Sequence, residues 1–317
     1  MNFKSSISLI SNTAPCCKVL RYAHLGIAVS NLPSSIEFLC KIGFNIIESL
    51  SGEKNALLRN RGGLGLELFL CDQGIEDNKN ILMDYPVNKY PGHTHASFTV
   101  PNTLSAKSYL ESEGIKISGE RKYPGNDRLF AVFARDPDMT TYEFEKNFGE
   151  PEDVTVTRDL IGYPQGLDHV GIRVYNPQAA VKYYAEKLGF NKMIKDYEPN
   201  PERLKNGSPW ITRAESEEGH CEINFIINAN EEATKENKLL ANGIVRPGII
   251  YTAFQVEDVT LAEQNLIAVG AKVTREDQIK DSPRLACLVG KFQPSPPGKT
   301  SFFLEDDEFN LLRIVGV

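Results

Sequence analysis

Histidine and glutamate side chains recur at matching places in this 317-residue chain. Four short apolar stretches, HLGIAV, HASFTV, HVGIRV and YTAFQV, share a small third residue and a closing valine; they begin at His24, His95, His169 and Tyr251. Four later stretches carry, in the same order, Glu67, Glu143, Glu222 and Arg313. Neutral imidazole and carboxylate are ligands of Zn²⁺, Ni²⁺, Co²⁺, Mn²⁺ and Fe²⁺. The pattern therefore predicts a divalent-metal site wherever two such pairs converge.

The segments around these residues repeat as well, and they indicate how the side chains are positioned. Each leading stretch is rich in apolar and β-branched residues and is predicted to be a buried strand. An amphipathic segment follows, opening with Asn or Asp and ending near a glycine, as helices prefer. Three shorter strand-like runs complete each unit. The chain is therefore predicted to be an α+β protein of four βαβββ units.

The units fall into two halves, which predicts two modules. Residues 21–148 hold units one and two, and residues 166–317 hold units three and four. The polar, turn-rich residues 149–165 are predicted to be the linker. Residues 1–20 are serine-rich and free of acidic residues, and we expect a disordered leader there, with a mitochondrial presequence as the alternative.

Composition excludes several classes of partner. The net charge of −7 argues against nucleic acid and anionic membranes, both of which favour basic surfaces. No apolar run approaches the roughly 18 residues that span a bilayer. Six cysteines without CxxC spacing are typical of reduced thiols in a cytoplasmic protein. We therefore expect a cytoplasmic monomer or homodimer whose partner is a small molecule.

The repeat and its ligand positions resemble the vicinal oxygen chelate superfamily, which includes glyoxalase I, bleomycin resistance proteins and type I extradiol dioxygenases. The stretch DPDMTTYEFE, residues 136–145, is similar to the family's DPDG ending, with Met139 in the glycine place. The resemblance implies that paired units curl into open, cup-shaped mixed β-barrels. It also implies a divalent metal that binds a substrate through two neighbouring oxygens.

Two pairings of units are compatible with the repeat, and each gives one complete site. Consecutive pairing, as in the dioxygenases, gives the ligands His24, Glu67, His95 and Glu143. Pairing of unit one with four and two with three, as in fused glyoxalases, gives the ligands His95, Glu143, His169 and Glu222. The linker between the halves favours the consecutive pairing, which would place the intact site in residues 21–148 and a degenerate one in residues 166–317. Arg313 cannot bind a cation, but it could replace the metal by pairing with a carboxylate.

Three functions are compatible with this site. The first is a metal-dependent isomerase or lyase of the glyoxalase type, favoured by two carboxylate ligands, with Glu143 or Glu67 as the base. The second is an Fe(II) extradiol dioxygenase that cleaves catechol-type rings with two histidines and one carboxylate. The third is a protein that binds a small molecule without catalysis, as resistance proteins do.

Four further residues are predicted to contact substrate. They are His93, Arg173, Tyr123 and Arg128. Strand alternation puts His93 on the face of His95, and we expect it at the rim of the cup. Arg173 resembles a family arginine that contacts glutathione. However, Pro91 and Ile226 replace an arginine and an asparagine of the glyoxalases, which argues against lactoylglutathione as the substrate.

Overall fold

A computed structural model describes residues 14–47, 52–84, 90–123, 125, 127–146, 153–196, 210–218, 221–227, 237–295 and 300–317. Unit one comprises β1 (Val19–Val29), α1 (Leu32–Lys41), β2 (Phe44–Ile46), β3 (Asn55–Asn60) and β4 (Gly65–Leu70). Unit two comprises β5 (Gly92–Val100), α2 (Thr103–Ser112), β6 (Ile117–Lys122), β7 (Leu129–Arg135) and β8 (Thr141–Lys146). Unit three comprises β9 (His169–Val174), α3 (Pro177–Leu188), β10 (Lys192–Asp196), β11 (Trp210–Glu215) and β12 (Glu222–Ile227). Unit four comprises β13 (Gly248–Val256), α4 (Val259–Ala268), β14 (Lys272–Arg275), β15 (Ser301–Glu305) and β16 (Leu311–Gly316). The predicted α+β fold of four βαβββ units is confirmed.

The helix boundaries follow from the capping residues. Each helix begins after an Asn or Asp whose side chain accepts a hydrogen bond from a backbone N–H three residues on; these caps are Asn31, Asn102, Asn176 and Asp258. Such caps satisfy N–H groups that have no partner within the helix. The predicted glycines at the other ends have positive φ, which suits a residue without a side chain; they are Gly43, Gly114, Gly189 and Gly270. Within the described residues, none of the helices is long and apolar enough to cross a membrane.

The pairing of the units differs from the one the linker favoured. β1 pairs antiparallel with β13, and β5 pairs antiparallel with β9. Units two and three therefore form one module, the central module, and units one and four form another, the terminal module. A short β5–β13 contact, His93 opposite Ile249, joins both modules in one 16-stranded sheet that remains open. The prediction of consecutive pairing was wrong because the first strands of the four units are similar, so local sequence does not specify which strand pairs with which. The pairing depends on contacts between residues distant in sequence, such as the rings of Tyr22 and Phe254, which stack with their centres 5.5 Å apart.

Two boundaries predicted from the sequence also change. Residues 14–20, predicted to belong to a disordered leader, are part of the fold. β1 begins at Val19, and Cys17 is buried. The backbone N–H of Cys17 donates a hydrogen bond to the backbone oxygen of Lys187. The linker joins the two halves of the central module rather than two modules. Its apolar residues Val156 and Ile161 are buried in the main core. Residues 1–13 lie outside the described part of the chain.

Side chains alternate between an apolar and a polar face of each central strand. On β5, Ala96, Phe98 and Val100 belong to the apolar core. His95, Ser97 and Thr99 lie on the opposite face, and they are buried too. Strand alternation therefore gives β5 a polar face that is buried inside the central module. We call the interior on this side of the central module the central cup, and the matching interior of the terminal module, where His24 lies, the terminal cup.

A buried aspartate closes the turn before the last strand in unit two and in unit four. Asp306 accepts hydrogen bonds from the backbone N–H groups of Glu308 and Asn310 and from the Tyr184 hydroxyl. Asp136 accepts the matching bonds in unit two. Burial raises the pKa of Asp306 to about 6. The carboxyl therefore retains its proton in the folded protein at pH values where an unfolded chain has lost it.

This shift predicts a pH-dependent contribution to stability. Between about pH 4 and pH 6 the folded state binds one proton more at Asp306 than the unfolded state does, so stability falls as the pH rises through this window. We expect the stability of the wild type, relative to Asp306→Asn, to decrease by about 2 kcal/mol across it. Urea unfolding at several pH values measures this difference. Asp307→Asn, at an exposed neighbouring position, serves as the control and should show no such trend. A difference that rises with pH would refute the assignment.

Candidate metal centre

Three adjacent strands bring His95, Glu143 and His169 together in the central cup. Ser97 of β5 lies opposite Glu143 of β8 on one side and opposite His169 of β9 on the other. His95 is two residues earlier on the same face of β5. The Nε2 atoms of His95 and His169 are 3.1 Å apart, and they lie 3.1 and 3.4 Å from Glu143 Oε2. All three side chains are buried.

Neighbouring side chains orient both imidazoles. His169 Nδ1 lies 2.7 Å from Asp168 Oδ2, and His95 Nδ1 lies 3.0 Å from Thr94 Oγ1, whose own hydroxyl donates to Gly171 O. Both contacts favour a proton on Nδ1. In the neutral imidazoles, which are the forms that bind metal, the Nε2 lone pairs then face each other and the Glu143 carboxylate. Support of this kind is typical of histidines that bind metal.

The electrostatics of the cluster are those of a site that attracts a cation. Burial alone would lower the pKa of His169, but hydrogen bonds and charge from Asp168 and Glu143 raise it to about 10. Burial alone would raise the pKa of Glu143, but the two histidines hold it well below its usual range. Two carboxylates thus stabilise positive charge among three converging donor atoms. These donors fit a divalent metal, since imidazole and carboxylate suit Zn²⁺, Fe²⁺, Mn²⁺, Co²⁺ and Ni²⁺ alike.

A glycine makes room for the His95 ring. A Cβ atom built on Gly171, which lies opposite His95 across the β5–β9 pair, would stand 2.1 Å from the ring carbon Cε1 and 2.3 Å from Nδ1. Gly26 holds the matching place in the terminal cup, where a Cβ would meet the Tyr251 ring at 2.2 Å. Each small residue thus accommodates the ring of the opposite strand.

We expect Gly171→Ala to displace the His95 ring and to weaken metal binding by at least about tenfold, in the range found when the surroundings of a ligand are altered. Isothermal titration with Co²⁺ measures the affinity. Gly26→Ala is the matched control: it introduces a similar overlap in the other cup, so it should lower the melting temperature but not the Co²⁺ affinity. Equal losses of affinity in both variants would contradict this role for Gly171.

The first ligand set predicted from the sequence is divided between the two cups. His24 and Glu67 lie in the terminal cup with Tyr251 and Arg313, so they cannot share a metal with His95 and Glu143. The set was wrong because it assumed that units one and two pair. Of the alternative set, His95, Glu143 and His169 converge, whereas Glu222 forms an ion pair with Arg213.

Arg313 takes the place of a metal in the terminal cup, as the sequence suggested. Its Nη1 atom lies 3.3 Å from Glu67 Oε2, and its Nη2 donates to Glu276 and, at 2.9 Å, to Gln293 O. Tyr251 and the Gln293 backbone also donate hydrogen bonds to Glu67. Glu67 therefore has no role as a base at the central site. The place that a metal would occupy in the terminal cup is therefore filled by side chains of the cup itself.

The four residues that the sequence predicted to contact substrate lie in different parts of the structure. His93 is not at the rim: it is buried at the junction with β13, and burial lowers its pKa to about 3. A bulge between His93 and His95 breaks the alternation on which the prediction relied. Arg173 is buried and donates to Leu82 O. Tyr123 and Arg128 lie together between β6 and β7, with the Arg128 guanidinium 5.7 Å from the Tyr123 ring centre.

Four polar residues near the cluster were not predicted. Asp168 orients His169, and Arg121 Nη1 lies 3.5 Å from Glu143 Oε1. Arg213 and Glu145 form an ion pair at 2.9 Å beside the cluster. Alternation from Glu143 could have indicated Glu145, which lies two residues later on the same strand face. Arg213 could not have been found, because nothing local links it to β8.

A cleft of about 1030 Å³ lies beside the cluster, between the modules. The central module contributes Glu145, Asp168, Arg213 and Glu222 to its walls, and the terminal module contributes, among others, Arg21, His24 and Arg59. A carboxylate oxygen of Glu145 and one of Asp168 each lie within 4.8 Å of a ring nitrogen of His169. The cleft therefore offers a small molecule access to the polar surroundings of the cluster.

Comparison with known proteins agrees with the fold. A lactoylglutathione lyase of Schizosaccharomyces pombe is 30% identical over 109 residues, which is 34% of this chain and 33% of that protein. The match thus spans about a third of the relative's length. The crystal structure of glyoxalase I from Zea mays has a TM-score of 0.57 at 18% identity, covering 93% of this chain and 92% of that one. A candidate dioxygenase from Bacillus subtilis has a TM-score of 0.58 at 14% identity, covering 95% and 86%.

The model of one protein family matches both halves of the chain. It covers residues 21–144 and 166–282, and together these segments make up more than half of the sequence. The matched residues include His95, Glu143 and His169, the three residues of the cluster. The chain therefore belongs to the Glyoxalase/Bleomycin resistance protein/Dioxygenase superfamily.

Proposed function

We propose that the protein is a metal-dependent enzyme of the isomerase or lyase type, acting on a small molecule that binds through neighbouring oxygens. The observation that carries this proposal is the convergence of His95, Glu143 and His169 within 4.8 Å of one another in a buried cup. Buried carboxylate and imidazole groups are costly without a cation to share. The match to a lactoylglutathione lyase supports the same class of reaction.

His95, Glu143 and His169 would hold the metal, which supplies Lewis-acid polarisation of a carbonyl or hydroxyl oxygen. Glu143 is the candidate base, because it is the one carboxylate of the described residues with an oxygen within 3.5 Å of both imidazoles. Arg121, 3.5 Å from its other oxygen, favours the ionised form that accepts a proton. Asp168 and Thr94 keep the two rings in place during this transfer.

An acidic group on the substrate is also part of the proposal. The Arg173 guanidinium is buried on the face of β9 that carries His169, and no carboxylate of the described residues lies within ion-pair distance of it. Its contacts are Leu82 O and, at 3.6 Å, Met83 Sδ. Burial lowers its pKa to about 10, so the group remains charged at neutral pH. A carboxylate of the substrate would compensate that charge.

Metal analysis followed by turnover assays tests the proposed reaction class. The purified protein should contain about one Zn²⁺, Ni²⁺, Co²⁺ or Mn²⁺ per chain, and it should convert α-hydroxycarbonyl compounds or hemithioacetals without oxygen. Glu143→Gln should abolish turnover, whereas Glu67→Gln serves as the control in the terminal cup and should retain it. A protein that binds no metal but retains small molecules would instead be a binding protein.

A second candidate is an Fe(II) ring-cleaving dioxygenase. It is favoured by the ion pair between Glu222 and Arg213, which leaves two histidines and one carboxylate at the centre. This donor set is typical of non-haem iron oxygenases. The experiment that separates the two candidates is oxygen uptake on catechols by the Fe²⁺-loaded protein. Uptake favours the dioxygenase, and its absence together with oxygen-independent turnover favours the lyase or isomerase.

A further inference from the structure

Asn224 holds in unit three the strand position that Glu143 holds in unit two. Glu143 of β8 is two residues after the residue that pairs with His95. Asn224 of β12 is likewise two residues after the residue that pairs with His169. Of the two units that form the central module, one therefore carries a carboxylate at this position and the other carries an amide.

The two positions are related by the local symmetry of the central module. β5 and β9 run antiparallel, with β8 beside β5 and β12 beside β9, so β8 and β12 flank the strands of the two histidines on opposite sides. A two-fold axis between β5 and β9 therefore exchanges the histidines, and it also exchanges Glu143 with Asn224. Gly171, which pairs with Asn224, faces the His95 ring. Asn224 thus belongs to the face of the sheet that lines the central cup.

The Asn224 amide is buried, and its oxygen lacks a hydrogen-bond partner. The residue is 1% exposed, and Oδ1 has no partner among the described residues. Three more buried oxygens of the same face also lack partners; they are Ser97 Oγ, Thr99 Oγ1 and Thr141 Oγ1. By contrast, Arg313, at the Asn224 position of the terminal cup, donates to Glu67 and Glu276. Because buried polar groups are nearly always hydrogen-bonded, the central cup is suited to a bound molecule with polar groups.

The length and charge of the Asn224 side chain suit contact with a substrate better than coordination of a metal. Asparagine is one carbon–carbon bond, roughly 1.5 Å, shorter than glutamate. An amide at the symmetry-related position therefore falls short of the place that Glu143 Oε2 reaches, 3.1 Å from His95 Nε2 and 3.4 Å from His169 Nε2. The amide Nδ2 also donates hydrogen bonds to anionic oxygens, which a carboxylate would repel.

We propose that Asn224 binds an oxygen of the substrate on the side opposite Glu143 and is not itself a metal ligand. This inference rests on the proposed metal-dependent function. When Glu143 accepts a proton from a carbon of the substrate, the electron pair of the broken C–H bond moves towards the neighbouring carbonyl oxygen. An N–H of Asn224 donates to that oxygen and stabilises the charge that develops there. The central cup thus has a base on one side and a hydrogen-bond donor on the other.

Titration of the Co²⁺-loaded, full-length protein with acetohydroxamate tests this role independently of turnover. Acetohydroxamate is an anion with two neighbouring oxygens, and the visible spectrum of Co²⁺ reports its binding. Asn224→Leu removes the amide but keeps a side chain of similar volume. This variant should bind Co²⁺ as tightly as the wild type does and with the same spectrum. It should bind acetohydroxamate about tenfold more weakly or worse, as expected when a hydrogen bond to a charged group is lost.

Two further variants complete the test. Asn224→Asp keeps the shape of the side chain but replaces the donor with a negative charge, so acetohydroxamate binding should weaken at least as much. It also serves if the leucine variant does not fold. Thr252→Val is the matched control: Thr252 Oγ1 is buried without a partner among the described residues, but it lies on β13 of the terminal module. This variant should leave the affinities for Co²⁺ and acetohydroxamate unchanged.

The possible failures of the inference and of the proposed function are distinguishable. A loss of Co²⁺ affinity of about tenfold or more in Asn224→Leu would assign Asn224 to the ligands or to their support and would overturn the inference. Unchanged acetohydroxamate binding in both Asn224 variants, or its absence in the wild type, would overturn it as well, while the metal centre would stand. If the wild type bound no Co²⁺, the proposed function itself would fail, and the inference with it.

Discussion

Replacement of His169 by alanine will remove bound divalent metal from the protein. His169 Nε2 is one of three donors at the centre, 3.1 Å from His95 Nε2 and 3.4 Å from Glu143 Oε2. Loss of a direct ligand should cost more than the roughly 10- to 100-fold loss that follows changes in the surroundings of a ligand. Metal content after gel filtration should fall from about one ion per chain to near zero, and His95→Ala should behave in the same way.

His24→Ala is the decisive control for this result. His24 heads the equivalent strand of unit one, but it lies in the terminal cup, 3.5 Å from both Glu67 and Arg313. We expect this variant to retain its metal. Circular dichroism of both variants separates loss of metal from loss of folding. If His24→Ala lost the metal while His169→Ala kept it, the metal would belong to the consecutive pairing of units, and the centre proposed here would be incorrect.

Replacement of Arg313 by methionine will destabilise the protein by about 3–5 kcal/mol, the range observed when one partner of a buried ion pair is removed. The Arg313 and Glu67 side chains are 4% and 3% exposed, and the guanidinium also binds Glu276. Methionine fills a similar volume but leaves both carboxylates without their cation. Denaturant unfolding, monitored by circular dichroism, measures the loss.

Two further variants define the origin of that effect. Arg275→Met removes a guanidinium from a pair with Glu263 in which the arginine side chain is 54% exposed, so it should cost far less stability than Arg313→Met does. The double variant Arg313→Met/Glu67→Gln should recover part of the stability, because the buried charge at Glu67 is then absent. A cost for Arg313→Met no greater than that for Arg275→Met would show that the ion pair does not stabilise the terminal cup.

Local features of the sequence were sufficient to predict the units of the fold. The caps Asn31, Asn102, Asn176 and Asp258 and the glycines with positive φ act within a few residues of where they occur. The position of His95 at the head of a repeated strand is equally local. For this reason the four units, their helices and the candidate donors His95 and Glu143 could be identified from the residues themselves.

Long-range features were not predictable in the same way. The bulge at Thr94 turns His93 away from the face that strand alternation predicts. A shift of one residue in the register of a strand is enough to move a side chain to the opposite face of the sheet. Arg213 and Glu145 are 68 residues apart in sequence, so no local pattern connects them. Asp168 orients His169, and the role of His169 in turn depends on which units pair. Each of these contacts depends on which strands lie side by side.

The sequence by itself determined the family, the four βαβββ units, the candidate donors on their strands and the loss of those donors in unit four. Tertiary structure alone decided which donors meet. Because the four first strands are nearly equivalent in local preference, their pairing depends on packing between distant segments, such as Tyr22 against Phe254. That pairing puts His169 beside His95 and Glu143, and it puts Arg313 beside Glu67, where a buried guanidinium takes the place of a metal.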